Sequence, residues 1–300
     1  MSNRLILVTG AAGRLGSVVC QTLIEARKEI RATDKVRATL PTALFRQTHL
    51  LHPCDSHRLL EGVGTLIHLA NNPEPLADSR TSFDENVCMN RLIFQAACEA
   101  GVREIIFASS LFVYSRCPNP NRSLKLLPYL PLDVNSPAEP DTFYGLGKLC
   151  SEQLLAQLSR QYGTAGVVLR LPFLTYGPPP ADSREALLKG RFRFIFDYLT
   201  YRDAASLILK IIDCDLPGFR IYLPSSRHNS LHRSASDLIK EYFPGVPLRK
   251  PAAELDSLID YSVITRETDW EPLDQSLPKP PPVKPSVWIH IKRLLKHSLT

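Results

Sequence analysis

A doubly wound α/β fold with a parallel sheet is what this sequence predicts, on three observations. Short β-rich runs alternate with longer amphipathic ones from residue 4 to 172. The β-rich runs are apolar on both faces, as strands buried between two helix layers are. A glycine-rich turn joins the first strand to the first helix, as in mononucleotide-binding βαβ units.

The first strand is "RLILVT" (4–9), and "VTGAAGRLG" (8–16) leads from it into a helix over about 14–27. Gly10, Gly13 and Gly16 have the spacing G-x-x-G-x-x-G. Glycine permits a tight turn at Gly10, close backbone approach to a pyrophosphate at Gly13 and close helix–sheet packing at Gly16. Ala12, Arg14 and Leu15 share this loop, and the helix N-terminus offers free N–H groups and positive dipole to phosphates. A glycine triplet alone also suits a plain turn. The strand before it and the helix after it make it a Rossmann dinucleotide-binding signal.

The second strand, "EIRATD" (29–34), ends in Asp34, 24 residues after Gly10. A carboxylate there accepts hydrogen bonds from the adenosine ribose hydroxyls and repels a 2′-phosphate, so NAD is expected over NADP. Lys35 and Arg37 partly offset that repulsion. "THLLHP" (48–53) is the third strand candidate, and Asp55 after it either reaches the adenine edge or stays solvated. The fourth, "TLIHLA" (65–70), leads into "HLANN" (68–72), where Leu69, Ala70 and Asn71 line the crevice at the topological switch point.

A helix over about 79–100 follows, with apolar residues three and four apart in "NVCMNRLIFQAACEAG" and Gly101 at its end. The fifth strand, "EIIFASS" (104–110), ends in two serines. Residues 115–140 hold six prolines and read as a long irregular loop of functional or mobile kind. A helix over 143–162 and a sixth strand, "GVVLRLP" (166–172), complete the alternation. Residues 177–275 are less regular, with a helix near 202–213, a strand at "RIYLPS" (220–225) and a helix near 234–242. Three parts are therefore expected: an NAD-binding domain over 1–176, a small substrate-binding region over 177–275 interleaved with it, and a tail over 276–300.

The candidate chemistry centres on "YGLGK". Tyr144 and Lys148 are four apart and share a helix face. A tyrosine hydroxyl, with a free pKa of about 10, is a poor base until a nearby ammonium favours the phenolate. The lysine is also able to hydrogen-bond a cofactor ribose. Tyrosine then exchanges a proton with a substrate hydroxyl as hydride moves to or from a nicotinamide. A third group should hold the substrate oxygen. Ser110, at the end of the fifth strand, is the candidate, with Ser109 in competition.

Composition bounds the alternatives. The chain is 44% hydrophobic, enough for a large core, and no apolar run approaches the roughly 20 residues that span a bilayer. The first residues enter a strand at once, unlike a signal peptide. Seven cysteines without a C-x-x-C pair suit a reducing cytosol and argue against disulfides or structural zinc. The eight histidines show no metal-binding spacing, so no metal is expected.

The net charge is +6, but residues 276–300 carry five of those charges, at Lys279, Lys284, Lys292, Arg293 and Lys296, and no acid. The body is nearly neutral and no nucleic-acid partner is expected. In the tail, a proline-rich linker precedes the basic amphipathic stretch "SVWIHIKRLLKHSL". That stretch is suited to an anionic membrane surface or a partner protein, or to packing on its own domain.

Together, "TGAAGRLG", Asp34, "HLAN", "ENVCMN", "FASSLFVY", "YGLGK", "LRLPFLTYGP", "YLTYRDAA" and "TDWEP" make the chain resemble an extended short-chain dehydrogenase/reductase of the NAD-dependent epimerase/dehydratase family, over roughly residues 3–275. The resemblance implies that Asn86 contacts the cofactor and that Pro172 and Phe173 meet the nicotinamide carboxamide. It also implies that Asp203 is architectural and that the protein is a homodimer. "PDTFYGLGK" and "FASS" are similar to the uronate dehydrogenases, which oxidise a hexuronic acid at C1. Leu111 and Phe112 stand where that group typically has Asn and His. Leu111 and Arg184, the latter able to pair with a carboxylate or phosphate, join Ser110 as substrate-binding candidates. The sugar-nucleotide epimerases usually have a larger C-terminal domain than 177–275 provides.

The expected activity is thus hydride transfer at a hydroxyl or keto group of a sugar, uronic acid or sugar nucleotide, by a cytoplasmic NAD enzyme. The alternative is a non-catalytic dinucleotide-binding sensor or scaffold of the same fold.

Overall fold

The computed structural model describes residues 5–38, 40, 44–72, 80–114, 127–179 and 195–274. Arg184 and the tail lie outside the described residues, as does 115–126 of the proline-rich loop.

Seven strands form one sheet, and every neighbouring pair is parallel. In chain order they are β1 (Leu5–Thr9), β2 (Ile30–Asp34), β3 (Phe45–Gln47), β4 (Val63–His68), β5 (Glu104–Ser110), β6 (Ala165–Leu171) and β9 (Phe219–Tyr222). Their spatial order is β3-β2-β1-β4-β5-β6-β9. The chain builds outward from β1 in one direction, then crosses back to β4 and continues in the other. A crevice opens at this reversal, beyond the carboxyl ends of β1 and β4. Thr9 and His68 are register partners at those ends.

Helices cover both faces. α1 (Arg14–Glu25) and α5 (Tyr201–Asp213) pack on one face, where Val19, Leu23, Leu207 and Ile211 bury against Ile6, Val8 and Val167. α2 (Pro53–Leu60), α3 (Arg80–Glu99) and α4 (Phe143–Tyr162) cover the other, with Leu59, Phe94 and Leu155 against Leu66, Ile105 and Val168. No helix among the described residues is long and apolar enough to cross a membrane.

A second apolar cluster lies off the sheet. It joins the 3-10 turn Leu111–Tyr114 to Leu130, Leu132, Phe196, Leu223, Leu258 and α6 (Ala235–Tyr242). Isolated bridges Leu130–Leu248 and Leu132–Ile259 pin the described part of the long loop to this region. Asp203 ties the end of the described chain to α5, because its carboxylate accepts from Leu273 N at 2.9 Å, Asp274 N at 3.0 Å and Thr200 Oγ1 at 2.7 Å.

Two expectations need correcting. The third strand is not 48–53 but the short edge strand Phe45–Gln47. Pro53 instead occupies the first turn of α2, where its missing N–H costs nothing. Asp55 therefore lies in α2 and not in a loop after a strand. Residues 173–200 also hold a separate two-stranded parallel sheet, β7 (Phe173–Thr175) with β8 (Tyr198–Thr200), and α7 (Ser262–Thr268) precedes "DWEP". Strands of three residues are too short for a period-two pattern to reveal them.

Candidate active site

The glycine loop packs against the switch-point segment. Gly10 has φ +71°, and a Cβ there would stand 2.6 Å from Ala70 N; one on Gly16 would stand 2.0 Å from Gly10 O. Neither position admits another residue without moving backbone. At Gly13 the added atom would stand 3.1 Å from Gly10 O, a tight contact within the loop itself. Gly13 is the N-cap of α1 and provides no side-chain cap, leaving first-turn N–H groups available to an anion.

Asp34 is held beside the loop: Oδ2 accepts from Ala12 N at 3.0 Å and Oδ1 from Val36 N at 3.2 Å. Asn71 Oδ1 is buried with no partner among the described residues. A tight glycine turn, an uncapped helix start, a positioned carboxylate and an orphaned amide oxygen along one crevice fit a dinucleotide.

Asn86 lies behind this crevice. Its carboxamide accepts from Asn72 N at 2.7 Å and donates to Asn72 O at 3.2 Å, so it braces the segment after Asn71.

Helix α4 supplies the tyrosine and lysine. Thr142 caps it through Oγ1 to Gly145 N at 3.0 Å, and left-handed Gly163 ends it. Ser110 Oγ accepts from Phe112 N at 3.2 Å and stands near the Tyr144 hydroxyl, where it favours the ionised form. Ser109, next to it, donates instead to the buried carboxylate of Glu152. The two serines, open alternatives in the sequence, thus have separate partners. Lys148 is 5% exposed and donates to Ala108 O at 2.7 Å, with its Nζ 5.8 Å from the Tyr144 ring centroid.

The electrostatics differ from the sequence expectation. Burial raises the Tyr144 pKa, and the nearby Ser110 hydroxyl opposes it. Burial also pulls Lys148 down to about 7, with Glu152 acting to raise it. Both side chains sit where low polarity disfavours their charged forms, and this outweighs the mutual effect expected of the pair.

Two polar networks escaped sequence reasoning. In the first, Thr9 Oγ1 donates to His68 Nδ1 at 2.7 Å, and His68 Nε2 donates to Asn90 Oδ1 at 2.8 Å. Asn90 Nδ2 then donates to Ser151 Oγ at 2.8 Å, and Ser151 Oγ donates to Gly147 O at 2.8 Å. That tautomer follows from the partners: Asn90 uses its amide hydrogen on Ser151, so its oxygen accepts from histidine. Burial brings His68 down to about 4, and Lys148 adds to the effect, so the ring is neutral.

In the second network, Arg170 grips Glu152, Nη2 to Oε2 being 2.7 Å with side chains 4% and 0% exposed. Arg170 also donates to the Tyr114 hydroxyl, which donates to Asp133 O at 3.0 Å. Asn86 and Asn90 on one helix face, and Glu152 one turn past Lys148, were the only sequence signals.

Leu111 is 7% exposed and packs in the second apolar cluster, whereas Phe112 stays partly exposed beside Tyr144. Phe173 opens β7 and is partly exposed.

Sheet and glycine loop define a class: a dinucleotide-binding α/β protein, here with Tyr144 and Lys148 on α4 beside Ser110 at the end of β5. A sequence model described as the NAD dependent epimerase/dehydratase family matches residues 6–195, and the chain belongs to that family.

Among similar proteins, a uronate dehydrogenase of Pseudomonas syringae pv. tomato is 31% identical over 176 residues, covering 56% of this chain and 58% of that one. A uronate dehydrogenase of Pseudomonas putida is 29% identical over 213 residues, covering 69% and 70%. The match thus spans under two thirds of the first relative's length.

In fold, the chain is similar to a UDP-glucose 4-epimerase from Thermotoga maritima, with TM-score 0.65, 20% identity and 90% and 94% of the two chains covered. It is also similar to a short-chain dehydrogenase/reductase superfamily protein from Agrobacterium tumefaciens with bound NAD, with TM-score 0.66, 20% identity and 99% and 100% covered. Because 94% of the epimerase chain is covered, size alone does not separate this chain from sugar-nucleotide enzymes.

Proposed function

We propose that this protein is an NAD-dependent oxidoreductase or epimerase acting on a hydroxyl or keto group of a sugar or sugar-like molecule. The observation that carries the reading is Tyr144 one turn before the buried Lys148 on α4, with Ser110 at the end of β5 beside them. The named relatives, two uronate dehydrogenases, support carbohydrate as the substrate class.

NAD would lie along the crevice. Gly10, Ala12, Gly13, Arg14 and Leu15 would hold its phosphates, and Asp34 its adenosine ribose. Leu69, Ala70 and Asn71 would line the far wall, with Pro172 and Phe173 toward the nicotinamide and Asn86 bracing the segment at Asn72. Bound there, the nicotinamide supplies the hydride acceptor or donor. Ser110 Oγ orients the substrate oxygen. Tyr144 Oη takes the hydroxyl proton in oxidation and returns it in reduction. Lys148, held by Ala108 O, contributes positive charge below its pKa of about 7 and a hydrogen-bond donor to the cofactor ribose.

The test follows NADH formation against free uronic acids, aldoses and UDP-sugars in parallel. Tyr144→Phe is expected to keep NAD binding and lose about 100-fold in rate. Unchanged turnover would sink the assignment. Binding of NAD with no turnover across the panel would leave the sensor or scaffold reading.

A further inference from the structure

Phe112 stands two residues past Ser110 in the 3-10 turn, and its main chain is held from both sides. Its N–H donates to Ser110 Oγ at 3.2 Å. Its carbonyl is packed so tightly on the first turn of α4 that a Cβ on Gly145 would stand 2.4 Å from the oxygen. The phenyl ring meets the Tyr144 ring at 90°, with centroids 5.7 Å apart, an edge-to-face arrangement that is itself favourable. A molecule whose oxygen is held between Ser110 Oγ and Tyr144 Oη therefore has the Phe112 ring at its side.

We propose that Phe112 is a specificity-determining wall. It selects a substrate whose reacting carbon is flanked on that side by a C–H, alkyl or aryl group, and disfavours a neighbouring hydroxyl or carboxylate. The inference rests on the Tyr144–Ser110 chemistry proposed above. A phenyl ring replaces none of the hydrogen bonds that a hydroxyl gives up to water, while C–H surface packs against it without loss. A carboxylate suffers more, since its charge is also desolvated. The physics sets the size of the effect: an apolar wall rejects an added hydroxyl by roughly 10²-fold at most. Within carbohydrates this points to deoxy positions beside the reacting carbon, and beyond them to simple alcohols and ketones with apolar substituents.

The test uses the full chain and matched pairs: 2-deoxyglucose against glucose, and cyclohexanol against cyclohexane-1,2-diol, with glucuronate as the charged extreme. Wild-type kcat/KM is expected to favour the less hydroxylated member by about 10- to 100-fold. Phe112→His supplies a donor and acceptor and should narrow that ratio about tenfold, mainly through KM, while Phe112→Leu should hold it within about threefold. A wild-type preference for the hydroxylated member, or a ratio that Phe112→His leaves unmoved while NAD binding persists, overturns the proposal. If the histidine variant does not fold, the wild-type ratio still decides.

Tyr144→Phe, run beside these, keeps the two readings apart. Loss of turnover on every substrate supports the acid/base assignment whatever Phe112 does. Undiminished turnover there overturns that assignment and the wall with it. A wild-type protein that binds NAD yet turns over no member of the panel overturns both.

Discussion

Two buried polar networks leave helix α4 from adjacent residues, and they are built from different chemistry. From Ser151 a neutral chain of hydrogen bonds runs through Asn90 and His68 to Thr9, at the end of β1 and next to the glycine loop. From Glu152 an ionic chain runs through Arg170 and Tyr114 to the main chain of Asp133, in the long loop. Removing one member of the neutral chain leaves polar atoms short of a partner. Removing one member of the ion pair leaves a charge in a place that water does not reach. The cofactor side is therefore fixed by bonds that fail gradually, and the loop side by a pair that fails together.

The largest effect should come from breaking the pair. Glu152→Ala strands the Arg170 guanidinium and is expected to lower stability by about 3–5 kcal/mol in denaturant unfolding. The double variant Glu152→Met with Arg170→Met should cost less than that single change, because neither charge remains. A double variant worse than the sum of its singles would mean that the ionic contrast is false.

Acid should then find the neutral chain. His68 has a folded pKa of about 4, below the unfolded value of 6.5, so its contribution is present above pH 6.5 and lost as pH falls through 4. The loss should approach about 3 kcal/mol between neutral pH and pH values below 4. His68→Gln should flatten that part of the stability–pH curve, and an unaltered curve would put the titration elsewhere.

Asn90→Ala leaves His68 and Ser151 each without one partner and should cost about 1–3 kcal/mol, less than Glu152→Ala in the same assay. Equal losses would erase the distinction between the networks. The smallest change is Thr142→Ala, which removes the α4 cap that both networks share. It should cost about 1 kcal/mol without altering the response to acid.

What the sequence made legible was chiefly local. The glycine loop, Asp34 at a strand end, and Tyr144 with Lys148 four residues on are short-range patterns, and the local geometry of a turn or helix follows from them. The helix over 143–162 agrees with its span in the fold because both caps, Thr142 and Gly163, lie in the adjoining sequence. Long-range partners were not legible. Nothing near Ser109 says that it meets Glu152, 43 residues away, and nothing near His68 names Thr9 or Asn90. The third strand was misplaced because "THLLHP" is apolar and β-like, whereas β3 at "FRQ" is a half-exposed edge with no pattern to read. The raised Tyr144 pKa depends on burial, which one helix cannot reveal.

The contact between Gly10 and Ala70 also bears on how the chain is made. The loop that would cradle phosphates closes only when its φ +71° glycine is backed by Leu69 and Ala70, some 60 positions later in the sequence. During synthesis β1 and α1 emerge first, yet the cradle stays incomplete until β4 has left the ribosome and paired beside β1. A nascent chain stopped before residue 70 carries every glycine of the loop and still lacks the surface that shapes it.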